Sequence, residues 1–110
     1  MSAADIVQAQ VDAYNAQDLD ALLSFYTDDC ILADLNGPVR QAGKDAVRAR
    51  YAELFKTHPH NRATILNRIV VGDTVIDHED VVRAPGGERF QVAAIYTLRG
   101  GLIARCDFAR

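Results

Sequence analysis

The sequence contains no long run of apolar residues; its uninterrupted apolar stretches are only a few residues long. A helix that crosses a bilayer needs about 20 such residues, so we expect no membrane-spanning segment and no membrane partner. Basic residues are also dispersed, and 12 Lys and Arg against 15 Asp and Glu give a net charge of -3. This balance argues against nucleic acid as a partner. Residues 1–5 lack the basic and apolar segments of a secretory signal, so we expect a cytoplasmic protein.

Motifs that hold metals or cofactors are missing as well. Cys30 and Cys106 are the only cysteines, and both lie in apolar runs, which favours reduced thiols in the core. His58 and His60 flank Pro59, but nothing marks a third ligand, so we expect an exposed loop and no metal. The chain has no glycine-rich phosphate-binding loop, and we expect no cofactor.

The first half of the chain shows three helical patterns, each beginning at a capping residue. Ser2, Asp18 and Gly43 mark the three starts. The first pattern places Gln10 with its apolar stripe, where a buried amide needs hydrogen-bond partners. The apolar positions of the three helices are Ile6, Val7, Val11 and Tyr14; Leu19, Leu22, Leu23 and Tyr26; and Val47, Tyr51, Leu54 and Phe55.

Strand patterns separated by turn residues fill the rest of the chain. Residues 30–42 predict a hairpin that turns at Asn36-Gly37, and later strands are predicted at 63–71, 74–83, 89–98 and 102–108. Hydrophobic residues make up 49% of the chain and no linker interrupts it, so we predict one domain over residues 1–110. Helices followed by a mainly antiparallel sheet predict an α+β fold, with the helices on one face of a strongly curved sheet. Such an arrangement leaves a pocket between sheet and helices.

Asp34 is the leading candidate for a catalytic residue. It lies in the short apolar run 30–35, and a carboxylate in an apolar strand is costly unless it is paired, exposed or used. If Asp34 faces a cavity, burial raises its pKa and it can act as a base. The alternative is an exposed acid at a strand end, and spacing does not decide between the two.

The strand at residues 74–83 offers His78 as a second candidate. Its two faces hold Val75, Asp77, Glu79, Val81 and Arg83 on one side, and Ile76, His78, Asp80 and Val82 on the other. The second set has no long charged side chain, so we predict that it faces the pocket. A neutral histidine there can exchange a proton near neutral pH. The opposite orientation of the strand stays open.

Four stretches, in their order and spacing, resemble the nuclear-transport-factor-2-like superfamily. Within it they are most similar to the ketosteroid-isomerase and SnoaL-like (polyketide cyclase-like) branch. The stretches are residues 14–20 (YNAQDLD), 25–29 (FYTDD), 43–51 (GKDAVRARY) and 100–103 (GGLI). The resemblance implies a cone-shaped α+β barrel, in which three helices close a curved sheet around a deep pocket. It also implies homodimers packed through the sheet.

The same resemblance implies roles for particular residues. Asp34 takes the position of the isomerases' general base, and Tyr51 takes that of a supporting tyrosine. The oxyanion-donating tyrosine of the isomerases falls at Gln10, and their protonated aspartic acid falls at or near Ala94. An oxyanion donor is worth about 2.7–4 kcal/mol in a transition state, so the loss of both argues against true ketosteroid isomerisation.

We therefore predict a small-molecule pocket protein that binds a small apolar ligand. One hypothesis is an isomerase- or cyclase-type enzyme, with Asp34 as general base and His78 as a further catalytic residue, acting on an apolar carbonyl-like substrate. The alternative is a non-catalytic ligand-binding module, or a dimeric interaction module, of the same fold. The residues predicted to line the pocket are Gln10, Tyr14, Tyr51, Phe55, Asp80 and Val82.

Overall fold

The computed structural model describes residues 1–110, which form three helices and six strands. The helices are α1 (Ala3–Ala16), α2 (Leu19–Ser24) and α3 (Lys44–Thr57). The strands are β1 (Tyr26–Asp34), β2 (Val39–Ala42), β3 (Arg62–Val71), β4 (Thr74–Val82), β5 (Arg89–Arg99) and β6 (Leu102–Ala109). None of the three helices has the length and apolar character needed to cross a bilayer.

The helix starts predicted from capping residues are confirmed. The Ser2 hydroxyl accepts the Asp5 backbone N–H at 3.1 Å, and the Asp5 carboxylate accepts the Ser2 backbone N–H at 3.0 Å, which is a complete capping box. Asp18 caps α2 by accepting the Ala21 N–H at 3.2 Å. Gly43 precedes α3 with a φ of 91°, a conformation that glycine adopts without steric cost.

The placement of Tyr26 on the second helix is wrong. Helix α2 ends at Ser24, and Tyr26 begins β1, where its backbone is paired with Ile103 of β6. The Ile103 N–H donates to the Phe25 carbonyl at 2.8 Å, which fixes this register. Backbone pairing with a distant strand therefore outweighs the local helical spacing.

The six strands form one sheet in the order β2-β1-β6-β5-β4-β3. Strands β1 and β6 run parallel, and every other neighbouring pair runs antiparallel. The sheet is curved and stays open between its edge strands β2 and β3, and the three helices pack on it. A cluster of 17 buried residues joins helices and sheet, among them Val7, Leu22, Val47 and Ile103. The predicted α+β fold is confirmed.

The predicted orientation of β4 is wrong. Val75, Asp77, Glu79 and Val81 are buried, and the last two line the cavity described below together with Arg83. The acidic side chains on this face tolerate burial because each has a hydrogen-bond partner inside the fold. The sequence does not show those partners, since they lie on β3 and β5.

Candidate active site

A cavity of about 710 Å³ lies between α1, α3 and the sheet. Of the 22 residues that line it, 14 are hydrophobic, so most of its wall suits an apolar molecule. Gln10, Tyr14 and Tyr51 line the cavity from the helices, and Glu79 and Tyr96 line it from the sheet. The polar groups are few and lie at defined points, which is the usual composition of a small-molecule site.

Glu79 is the titratable group at the buried end of this cavity. The residue is only 7% exposed. Burial, reinforced by the nearby charge of Asp77, raises the pKa of its carboxyl group from about 4.5 to about 7. Its Oε2 accepts a long hydrogen bond of 3.4 Å from Tyr96, whereas Oε1 has no partner in the protein. Every side-chain oxygen without a partner reaches accessible surface, so Oε1 is open to the cavity.

A chain of buried hydrogen bonds holds Glu79 in place. The Tyr26 hydroxyl donates to Gln10 Oε1 at 3.0 Å, and Gln10 Nε2 donates to the Tyr96 hydroxyl at 3.0 Å. Tyr96 then donates to Glu79. This chain gives Gln10 the partners that its position on the apolar stripe of α1 requires.

A buried ion pair lies behind Glu79. Asp77 is fully buried, and Arg68 binds it in a bidentate manner, with Nε–Oδ1 at 2.6 Å and Nη2–Oδ2 at 3.0 Å. Arg68 also donates to Gln8 on α1 at 2.9 Å. The pair leaves the Asp77 charge close enough to raise the pKa of Glu79, while Arg68 partly offsets that effect.

Asp34 lies at the rim of the cavity. Its side chain is 43% exposed, and the Arg40 guanidinium donates to Oδ2 from Nε at 3.0 Å and from Nη2 at 2.5 Å. These hydrogen bonds hold the pKa of Asp34 below its usual value. Asp34 therefore lines the predicted cavity, but not in the buried setting that would make it a stronger base.

His78, Asp80 and Val82 lie on the face of β4 that does not line the cavity, so their prediction as pocket residues is corrected. The ring nitrogens of His78 contact Asn67 at 3.3 Å and Gln91 at 2.7 Å. Phe55 also lies outside the lining, and packs edge-on against Tyr14 with ring centroids 5.8 Å apart. Asp80 accepts hydrogen bonds from Arg89, which lower its pKa.

A second polar cluster occupies another part of the same cavity. Arg83 is 9% exposed, and its Nη1 donates to Asn61 Oδ1 at 2.8 Å. Asn61 Nδ2 in turn donates to the Tyr14 hydroxyl at 2.5 Å. The Arg83 guanidinium lies 4.8 Å from the ring centroid of Phe90, within the range of a cation–π contact.

Sequence reasoning missed Glu79 and Arg83. Both were on the strand face taken as outward because it carries long charged side chains. The signal in the sequence was their spacing. Glu79, Val81 and Arg83 are alternate residues and share one face of the extended chain, so if one of them is assigned to the cavity, all three are. No group of three or more His, Cys, Asp and Glu side chains is arranged to bind a metal ion.

A family model for the SnoaL-like domain matches residues 7–106, which is nearly the entire chain. A search of functionally curated proteins finds no match. A cystatin-fold protein of uncharacterised function from Novosphingobium aromaticivorans is 37% identical, with a TM-score of 0.95. That similarity covers 100% of this chain and 99% of the Novosphingobium chain.

Two further solved structures share the fold. A Sinorhizobium meliloti protein, provisionally assigned as a polyketide cyclase, is 27% identical with a TM-score of 0.82, over 96% of this chain and 94% of that chain. A ketosteroid-isomerase-like-fold protein from Catenulispora acidiphila, solved with trimethylamine, is 20% identical with a TM-score of 0.80. That likeness covers 96% of this chain and 84% of the other, and at this identity it shows the fold alone. With the family model matching almost its full length, the chain belongs to the SnoaL-like domain family.

Proposed function

We propose that the protein is a proton-transfer enzyme of the isomerase or cyclase type, acting on a small, mostly apolar carbonyl compound bound in the cavity. The observation that carries this proposal is Glu79: a buried carboxyl group with a pKa of about 7 and one oxygen open to the cavity. A general base works best when its pKa lies near the working pH, because the ionised form is then populated and still basic. Glu79 meets that condition at neutral pH.

Tyr51 supplies the complementary hydrogen-bond donor. Tyr51 lines the same cavity, and its hydroxyl group accepts from Tyr26 but donates to no acceptor in the protein. Burial raises the pKa of Tyr51 above its usual value, so the hydroxyl keeps its proton at neutral pH. A protonated donor in a cavity with little water can stabilise an oxyanion as it forms.

The proposed reaction begins with ionised Glu79. Its carboxylate removes a proton from the carbon next to the substrate carbonyl, and the electron pair of that C–H bond moves toward the carbonyl oxygen. The Tyr51 hydroxyl donates a hydrogen bond to the resulting enolate oxygen. Return of the proton from Glu79 to the same or a conjugated carbon completes exchange or isomerisation.

Asp34 is the alternative base, as the sequence suggested. It lines the cavity but is bound by Arg40, and the lowered pKa makes its carboxylate a weaker base. The geometry therefore favours Glu79 over Asp34 as the residue that accepts the proton.

A non-catalytic ligand-binding protein is the second candidate function. It is favoured by the pairing of Asp34 with Arg40 and by the closed chain from Tyr26 through Gln10 to Tyr96, which gives each of these polar groups a structural role. In that case the raised pKa of Glu79 is a consequence of burial alone, and no proton is transferred.

Hydrogen–deuterium exchange into ketones separates the two functions. Acetophenone, cyclohexanone and cyclohexenone are incubated with the protein in deuterium oxide at neutral pH, and deuterium next to the carbonyl is followed by NMR. We expect the wild-type protein to accelerate exchange of at least one ketone. Tyr51→Phe is expected to slow that exchange by about 10²–10³-fold through the lost oxyanion donor. If none of the three ketones exchanges faster than in buffer, the proton-transfer function is contradicted and the non-catalytic function is supported.

We also propose that a second copy of the chain covers β3. Four large apolar side chains of this edge strand are exposed: Leu66, Ile69, Val70 and Val71. Large exposed apolar side chains grouped on one edge strand favour association. Light scattering after size exclusion is expected to show a dimer that Ile69→Lys disrupts, while Val39→Lys on the opposite sheet edge does not. A monomeric wild-type protein would contradict the proposal.

A further inference from the structure

Arg83 is the one buried cation in the protein that has no carboxylate partner. Seven of the 12 Lys and Arg side chains form ion pairs with Asp residues. Of the other five, Arg50 is partly exposed, and Lys56, Arg62 and Arg110 are exposed. Only Arg83 is buried, at 9% exposure. A buried charge without an opposite charge is costly, so this position requires an explanation.

The Arg83 guanidinium is held rigidly and still has donors to spare. Asn61 accepts one N–H from Nη1, and the Phe90 ring covers the planar group at 4.8 Å. Arg83 also lies close enough to the Tyr14 hydroxyl oxygen to lower the pKa of Tyr14, and none of its remaining donors is both unpartnered and fully buried, so they are accessible where Arg83 lines the cavity. A planar guanidinium with donors that remain accessible matches the geometry of a carboxylate.

Tyr14 adds a further donor beside Arg83. Its hydroxyl oxygen accepts the Asn61 amide at 2.5 Å, which leaves its own hydrogen without a protein acceptor. Burial raises the pKa of Tyr14, so this hydrogen is retained at neutral pH. Asn61 thereby orients both Arg83 and Tyr14, and it is itself only 2% exposed.

An apolar stretch separates this cluster from Glu79. Arg83 directly follows β4 and lies four residues after Glu79, which places their backbones about 13 Å apart along an extended chain. Val81 lies between them and packs with Ala63 and Val92 in a small buried cluster that also lines the cavity. A molecule that reaches both polar groups must therefore have an apolar middle.

The remaining charges on the cavity wall favour an anion. Arg50 and Arg110 line the cavity without a carboxylate partner, whereas the Asp34 charge is neutralised by Arg40. The cavity is thus cationic at its rim, although the chain as a whole carries a net charge of -3. A cationic cavity in an acidic protein attracts anionic ligands selectively.

We propose that Arg83 and Tyr14 bind the carboxylate group of the ligand, so that the ligand is an apolar carboxylic acid rather than a neutral molecule. This inference deepens the proposed function, because it names the chemical class of the molecule whose apolar body extends toward Glu79. It replaces the small apolar ligand expected from the sequence with an amphipathic one.

Matched acid and amide pairs test the inference. Binding of phenylpropanoate, naphthylacetate and decanoate is measured by isothermal titration calorimetry beside binding of their primary amides. We expect at least one acid to bind wild-type protein roughly ten-fold or more tightly than its amide, since charge-assisted hydrogen bonds are worth more than neutral ones. Arg83→Met is expected to remove that preference, and Arg83→Lys to keep only part of it because lysine lacks the planar fork.

Arg62→Met is the matched control. Arg62 is exposed on β3, forms no ion pair and does not line the cavity, so the substitution changes net charge equally and should leave the acid preference intact. Thermal unfolding of each variant shows whether it is folded, and if Arg83→Met is not, the comparison of Arg83→Lys with wild type decides. Equal affinity of acids and amides for wild-type protein, no binding of any acid, or a preference that survives in both Arg83 variants would overturn the inference.

The readouts also separate this inference from the proposed function. Glu79→Gln is expected to reduce ketone exchange by about 10²–10⁴-fold while preserving the preference for acids. If the protein prefers acids through Arg83 but exchanges no ketone, the carboxylate site is supported and the proton-transfer function is contradicted. If it exchanges ketones through Glu79 but binds acids and amides equally, the proton-transfer function is supported and the carboxylate site is contradicted.

Discussion

At the buried end of the cavity Glu79 is 7% exposed and has no ion-pair partner, whereas at the rim the Asp34 side chain is 43% exposed and bound by Arg40. Burial raises the pKa of Glu79 to about 7, and the Arg40 hydrogen bonds lower the pKa of Asp34. The pKa values of two carboxyl groups that line the same cavity thus depart from their usual values in opposite directions. Desolvation has the larger influence on the pKa of Glu79, whereas the Arg40 cation has the larger influence on the pKa of Asp34.

The comparison extends to two arginine–aspartate pairs. Arg68 binds both carboxylate oxygens of fully buried Asp77, while Arg40 donates two hydrogen bonds to one oxygen of half-exposed Asp34. In the buried pair, loss of the cation leaves a charge in a medium that cannot solvate it. In the rim pair, water replaces the lost contact. The two arginine–aspartate pairs are therefore expected to contribute differently to the stability of the fold, because one is buried and the other is in contact with water.

The largest expected effect is on proton transfer. Glu79→Gln should reduce ketone exchange in deuterium oxide by about 10²–10⁴-fold, the usual contribution of a general base, because an amide cannot accept the proton. Asp34→Asn should leave the exchange rate nearly unchanged, since the paired carboxylate is not the base. The reverse result would assign the base to Asp34. An equal loss of exchange rate in both variants would show that Glu79 and Asp34 do not differ in their roles.

The next effect is on stability. Arg68→Met should lower the free energy of unfolding by about 3–5 kcal/mol, because it leaves the Asp77 charge buried and unpaired. Arg40→Met is the matched control at the rim and should change the unfolding midpoint in urea only slightly. Equal destabilisation by the two substitutions would show that burial does not separate the pairs.

A pH dependence of stability should follow from Glu79. The folded protein keeps the Glu79 proton up to about pH 7, while the unfolded chain releases it near pH 4.5. Folded protein therefore binds more protons in this interval, so the free energy of unfolding should fall by about 3 kcal/mol as pH rises through it. The groups that face Glu79 are Asp77, Arg68 and Tyr96.

Urea unfolding of wild-type protein and Glu79→Gln across this pH range measures that dependence. The difference between the two proteins should be small at acidic pH and should grow in favour of Glu79→Gln toward alkaline pH. Asp34 and Asp80, whose pKa values are lowered, lose their stabilising interactions only at lower pH. A constant difference between the two proteins would show that Glu79 titrates normally.

The smallest expected effect is at the rim. Arg40→Met should return the pKa of Asp34 toward its usual value, since the Arg40 hydrogen bonds are the first cause of its lowering. NMR titration of the Asp34 carboxyl carbon in the two proteins measures this shift. A pKa of Asp34 that does not move would show that the ion pair is absent in solution.

Much of the fold was predictable because its signals are local. Caps at Ser2, Asp18 and Gly43 mark the helix starts, and the turn after Asp34 marks the end of β1, whereas β1 begins at Tyr26, four residues before the predicted start at residue 30. Tyr26 was misplaced because its helical spacing is a local pattern, whereas its pairing with Ile103 is set by a strand 77 residues later. The residues next to Tyr26 in the sequence carry no signal of its pairing with a distant strand.

The candidate site was less predictable for the same reason. Placing charged residues outward is a sound rule for an isolated strand, but Asp77 is neutralised by Arg68 and Glu79 is bound by Tyr96, both from neighbouring strands. For Asp34 the sequence left open whether it faces a cavity as a base or lies exposed at the strand end, and the structure places it at the cavity rim, half-exposed and bound by Arg40.

The sequence by itself determined the element order, the helix caps and the turns, because these depend on residues close together in the chain, and the order and spacing of four stretches indicated the family. Only the tertiary structure decided which face of β4 turns inward, and hence that Glu79 and Arg83 line the cavity. The reason is physical: burial of a charged side chain depends on whether a distant residue arrives to bond it, and alternation along a strand is equally consistent with either face.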